Sequence, residues 1–158
     1  MLTFEELYAQ YAQDIYRFAF WLSGNEMDAE DITAETLARV WLRFGSIRME
    51  TLKGYLLKIA RNLYLSKQRK KGRDTLLEES YPDPSLGPER MTEMRLSLEA
   101  VRGFLRQLPE CDRTALILRA QYELSYSEIA RVLEISEVAA RVKVHRTRKR
   151  LLLETIKG

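Results

Sequence analysis

An all-α protein of two small helical domains joined by a flexible linker is what the sequence predicts, and three observations predict it. Apolar residues recur at intervals of three and four through most of the 158 positions. No pair of strands with alternating polarity is legible, and one proline-rich segment interrupts the helical period. The first domain is expected over residues 1–72, the linker over 73–90 and the second domain over 91–158.

In the first domain, Phe4, Leu7, Tyr8, Tyr11, Ile15, Phe18, Ala19 and Leu22 keep helical spacing. Thr3 and Glu6 stand at the separation of a capping box, and Gly24 supplies the stop. Asn25 can cap a second helix that turns Ala29, Ile32, Leu37, Val40, Trp41 and Phe44 inward until Gly45, with an acidic opposite face. Leu52, Leu56, Ile59, Ala60 and Leu63 mark a third helix that runs into the basic tract Lys67 to Arg73. Trp21, Trp41 and Tyr55 fall on apolar faces, so core packing is favoured over stacking platforms for them. Tyr64 is left open.

Arg73 to Arg90 carries three prolines, a glycine and several carboxylates without sustained periodicity, which reads as a linker. The helical pattern resumes with Met94, Leu98, Val101, Leu105 and Leu108, and Pro109 separates a fresh helix containing Ala115, Leu116 and Leu118. Ser125 and Glu128 have capping-box spacing ahead of Ile129, Ala130, Val132 and Leu133. Leu133, Glu134 and Ile135 are expected to form a turn, after which Ser136 caps a helix packed through Ala140, Val144, Thr147 and Leu151.

That last helix carries Arg141, Lys143, Arg146, Arg148, Lys149 and Arg150 with no carboxylate before Glu154, which predicts an uncompensated cationic surface. A basic run alone also suits the negative end of a helix macrodipole. A short capped helix and a tight turn in front of it make a helix-turn-helix that places its second helix on DNA. Cations near the helix end then hold phosphates, while Ser136, Ala139, Arg141 and Val142 in the first turns face base edges.

Formal charge is only +3, so its distribution matters more than its total: Lys67 to Arg73 and Arg141 to Arg150 are basic, Glu26 to Glu35 acidic. An apolar content of 46% suffices for real cores. Cys111 and His145 are the single cysteine and histidine, which rules out an internal disulfide and a His/Cys zinc site of ordinary ligand count. No apolar run reaches bilayer length and the amino terminus lacks the pattern of a secretion signal. Neither cofactor nor metal is expected, and a reducing cytoplasm is the expected location.

Three stretches carry a resemblance: DAEDITAETLARVW (Asp28 to Trp41), LKGYLLKIARNLYLSKQRKK (Leu52 to Lys71) and LPECDRTALILRAQYELSYSEIARVLEISEVAARVKVHRTRKRL (Leu108 to Leu151). In this order the chain resembles a bacterial RNA polymerase sigma factor of the extracytoplasmic-function group, sigma-70 family. The resemblance implies that the first domain is region 2, a helical bundle that binds the core polymerase and opens the minus-10 promoter element. It implies that the second is region 4, whose helix-turn-helix reads the minus-35 element. The connector is implied to thread toward the polymerase active site.

Carried over by resemblance, Asp31, Ala34, Glu35, Ala38 and Leu42 are the polymerase-binding positions, with Ala34 standing where a glutamine is usual. Lys58, Arg61, Asn62, Leu65 and Lys67 occupy the polar side of the third helix. Asn62 sits where the family contacts a captured base, and Ser46, Ile47, Arg48 and Met49 in the preceding loop help choose it. The minus-35 positions are Ser136, Val138, Ala139, Arg141, Val142, His145 and Arg146. Val138 and Ala139 replace the small residue and threonine usual there, and Glu134 replaces a common glycine, so a left-handed backbone at Glu134 is expected to be strained. An anti-sigma factor, in this group often membrane-bound, is implied as a further partner; direct membrane insertion of the chain is not expected.

Two alternatives follow from the residues themselves. A free-standing regulator that binds duplex DNA as a homodimer explains the carboxy-terminal motif but gives the second and third helices no task, and no dimer helix is legible. A metal-dependent hydrolase built on Asp28, Glu30, Asp31 and Glu35 lacks the Glu-x-x-His pairs that carboxylate-bridged helical sites use.

Overall fold

The computed structural model describes residues 3–43, 52–74 and 92–157, and among them the chain forms seven α-helices. Its contacts divide into two units, Met1–Pro82 and Asp83–Gly158.

In the amino-terminal unit α1 spans Phe4–Ser23. Thr3 Oγ1 accepts the Glu6 N–H at 3.2 Å while Glu6 Oε2 accepts the Thr3 N–H at 3.2 Å. This reciprocal box satisfies two donors that a helix start leaves without partners. Gly24 ends the helix at φ 66° and donates its N–H to Phe20 O at 2.8 Å, a left-handed cap that glycine enters without a Cβ penalty.

Helix α2 spans Glu26–Leu42, with Asn25 Oδ1 accepting the Asp28 N–H at 3.1 Å. Helix α3 spans Leu52–Asp74. The core between the three is built from Leu7, Ile15, Phe18 and Leu22 of α1, Ala29, Ile32 and Val40 of α2, and Leu52, Leu56, Leu57 and Ala60 of α3. Thr36 lies fully inside it, its hydroxyl donating to Ile32 O at 2.6 Å, which offsets the cost of burying a polar atom.

Three expectations for this unit are corrected. Trp41 is 56% exposed, not core: it follows Val40 by about 100° around the helix, so it falls at the edge of the packed face, where its ring meets that of Phe4 edge to face, centroids 4.6 Å apart. Helix α2 ends at Leu42, and the expected Phe44 and Gly45 lie outside the described residues. On α3 the inward stripe is rotated toward Leu57 and Tyr64, leaving Ile59 and Leu63 half-buried. Trp21 and Tyr55 are also half-buried.

The carboxy-terminal unit contains α4 (Thr92–Gln107), α5 (Glu110–Ala120), α6 (Tyr126–Leu133) and α7 (Glu137–Lys157). Phe104, Leu105, Leu108, Ala115, Leu118, Ile129, Val132, Ala140 and Val144 form its core. Thr147 is buried with its hydroxyl donated to Lys143 O at 2.7 Å. Leu151, expected on the inward stripe, is half-buried.

Ser125 Oγ caps α6 by accepting the Glu128 N–H at 3.1 Å. Leu133 is the last residue of α6 rather than part of the turn, and Glu134 takes the left-handed conformation, φ 57° and ψ 47°, with its N–H on Ala130 O. The Ile135 N–H reaches the same carbonyl at 3.1 Å. A left-handed residue with a Cβ costs roughly 1–2 kcal/mol, whereas glycine costs only its extra freedom in the unfolded chain. Glu134→Gly is therefore expected to stabilise the unit by about 0.5 kcal/mol, seen as slower amide exchange in α6 and α7.

Candidate nucleic-acid interface

Helix α7 is positioned at its start by Ser136, whose Oγ accepts the Ala139 N–H at 3.0 Å. Burial of Ala140, Val144 and Thr147 then fixes its rotation against α5 and α6. The opposite side presents Glu137, Val138, Arg141, Val142, His145, Arg146, Arg148, Lys149 and Arg150 to solvent. Ala139 is half-buried, and the Ser136 hydroxyl is taken up by the cap.

The charge of this surface is partly compensated, which corrects the sequence reading. Asp112, in the first turn of α5, is buried and reaches Lys143 Nζ at 2.9 Å and Arg146 Nη2 at 3.3 Å. A carboxylate 31 and 34 residues upstream thus pins two cations to the flank of the helix. Arg141 pairs with Glu137 at 3.6 Å and lies over the Tyr126 ring, 5.2 Å from its centroid. Arg119 covers the same ring at 4.6 Å, and His145 stands 6.2 Å from it. Tyr126 and Asp112 organise this surface, yet sequence reasoning missed both. Only the placement of Tyr126 directly after the Ser125 cap hinted that its ring would lie near the turn.

In the amino-terminal unit Asn62 of α3 is exposed and Lys58 half-buried. Arg61, expected beside them on the polar side, is instead buried with 9% of its surface exposed. Lys67 and Lys71 turn toward α2: Lys71 Nζ bonds Asp28 Oδ2, while Lys67 Nζ lies 3.4 Å from Asp31 and 3.9 Å from Asp28. Ser46, Ile47, Arg48 and Met49 lie outside the described residues.

Asp31, Ala34, Glu35, Ala38 and Leu42 are all exposed, Leu42 at 83%. Glu35 pairs with Arg39 at 3.2 Å. Trp41 and Met27 are exposed on the same helix, so α2 offers apolar as well as acidic surface. Asp28 and Asp31 are shared with lysines; among the described residues no group of three or more His, Cys, Asp or Glu side chains is placed to hold a metal ion.

The Sigma-70 region 2 family matches residues 7–74, and the Sigma-70, region 4 family matches residues 98–151. The chain is 36% identical over 157 residues to the ECF RNA polymerase sigma factor SigE of Mycolicibacterium smegmatis, covering 96% of this chain and 61% of that relative. It is 29% identical over 155 residues to the ECF RNA polymerase sigma factor SigM of Bacillus subtilis, covering 95% and 93% of the two chains. Among solved structures it is similar to the sigma factor RpoE in complex with the anti-sigma factor NepR from Bartonella quintana. There the TM-score is 0.81 at 28% identity, over 96% of both chains.

Proposed function

Since the chain belongs to the sigma-70 family of RNA polymerase sigma factors, in its extracytoplasmic-function group, we propose that it binds core RNA polymerase, directs it to a set of promoters and helps open them. The observation that carries this reading is the region 2 match falling in the first unit and the region 4 match in the second, in the family's order.

The reading divides the labour by residue. Residues 1–72 bind the polymerase through Asp31, Ala34, Glu35, Ala38 and Leu42 of α2. Asn62, Lys58 and Lys67 of α3, with Ser46, Ile47 and Arg48, hold the separated minus-10 strand, where cations and base pockets replace stacking. Arg61 belongs to the same proposed set, although only 9% of its surface is exposed. Residues 91–158 read the minus-35 duplex with α7, and 73–90 connect the two. The chain itself is not an enzyme; the polymerase makes the RNA. Among the described residues no helix is long and apolar enough to cross a membrane, and the work assigned to the chain places it in the cytoplasm with the polymerase. The complex of the Bartonella neighbour with NepR supports control by an anti-sigma factor.

In vitro transcription with purified core enzyme tests the proposal: start sites sharing two spaced upstream motifs are expected. Arg141→Ala is expected to lower transcription from those promoters at least tenfold while polymerase co-purification stays unchanged, since Arg141 lies on α7 and not on α2. Equal loss of both activities contradicts the division of labour. Asp112→Asn releases Lys143 and Arg146 to meet phosphates. The log-log salt dependence of duplex binding is then expected to steepen by about one to two units, with a loss of stability because the buried carboxylate that both cations share is gone.

A further inference from the structure

Two β-branched side chains stand in the open on α7 where neither packing nor helix propensity calls for them. Val138 is 67% exposed and Val142 51%. One helical turn apart, they form a single apolar ridge, and each is a weaker helix former than alanine. The stripe that packs α7 inward is a separate one, Ala140, Val144 and Thr147.

Arg141, His145 and Arg146 flank this ridge and are exposed, with Arg148, Lys149 and Arg150 further along. The charge surrounding the ridge therefore suits a polyanion, although Glu137 and Asp112 offset part of it. On the edges of base pairs in a duplex major groove, the apolar group is the thymine C5-methyl. An exposed valine pair inside a cationic rim matches that chemistry. Arg141, held against Tyr126 and Glu137, keeps its guanidinium beside the ridge, where it can reach a neighbouring guanine.

Resting on the reading of α7 as the minus-35 helix, we propose that Val138 and Val142 select thymine in that element by packing on its C5-methyl groups. The test uses holoenzyme assembled from the full chain and core polymerase, on a promoter located by start-site mapping. Every thymine of the upstream element is replaced by uracil, which deletes the methyl group and leaves base pairing intact. Binding is expected to fall roughly fourfold for each methyl contacted, about 0.8 kcal/mol. The double variant Val138→Ala, Val142→Ala is expected to bind the thymine promoter as weakly as the unaltered chain binds the uracil one, and to lose nothing further with uracil. Both substitutions remove exposed atoms and raise helix propensity, so the fold is retained.

Unchanged binding to the uracil promoter overturns the proposal, as does an upstream element without thymine on either strand. In both cases, if a scrambled upstream element still abolishes binding, the promoter reading of α7 stands and only the methyl contact is lost. If scrambling has no effect, both fall.

Discussion

Leu42→Glu is expected to weaken the affinity for core RNA polymerase at least thirtyfold, about 2 kcal/mol, while leaving thermal unfolding nearly unchanged. Leu42 is 83% exposed at the end of α2, so its side chain supports little of the fold. Substitutions at such positions move stability by about 0.5 kcal/mol or less. At a docking surface the same exposure has the opposite meaning. On the polymerase-docking face proposed above, Leu42 with Trp41 and Ala38 offers apolar surface at one end of α2, and the acidic Asp31 and Glu35 lie toward the other. A glutamate on that apolar surface brings a charge that must shed its water on association. Titration of labelled chain against core enzyme measures the effect; an unchanged dissociation constant moves the contact off this face.

The second large effect is on folding. Ile129→Ala is expected to destabilise the carboxy-terminal unit by about 2–5 kcal/mol, the cost of removing buried methylenes together with the cavity they leave. Ile129 is fully buried in α6 among the side chains that seat α7. A domain of this size holds only a small reserve of stability, so most of it goes with one residue. Tryptophan fluorescence cannot follow this loss, because Trp21 and Trp41 lie in α1 and α2. Amide hydrogen exchange in α6 and α7 can, and protection that survives the substitution contradicts the expectation. Duplex binding is expected to fall with the helix that carries it.

What the sequence disclosed and what it hid divide along a physical line. The starts of α1, α2, α6 and α7 were legible because a cap is a local device: Thr3, Asn25, Ser125 and Ser136 bond backbone N–H groups three residues on. The stop at Gly24 was legible for the same reason. The outward placement of Arg141 and Val142 followed from helical period, whereas Val138 and His145 entered only through the resemblance. Asp112 gave no such signal, since its partners Lys143 and Arg146 belong to another helix and pairing depends on how α5 and α7 pack. Arg61 and Trp41 sit at the margins of their stripes, where a neighbouring helix rather than the period decides which way a side chain turns. At Glu134 a left-handed residue closes α6 without the glycine that usually announces one.

The lysines that close over α2 have a consequence for how its two flanks communicate. Lys67 faces Asp31 at 3.4 Å and Asp28 at 3.9 Å, and of these carboxylates only Asp31 is open to solvent. A cationic partner that takes Asp31 competes with that ammonium, and an anion that takes the ammonium frees Asp31 in turn. By thermodynamic reciprocity, occupancy of either flank lowers the cost of filling the other by the same factor. Two ligands of opposite charge are therefore expected to be weakly cooperative across α2 and α3, by about the 0.2–1 kcal/mol that one exposed ion pair is worth.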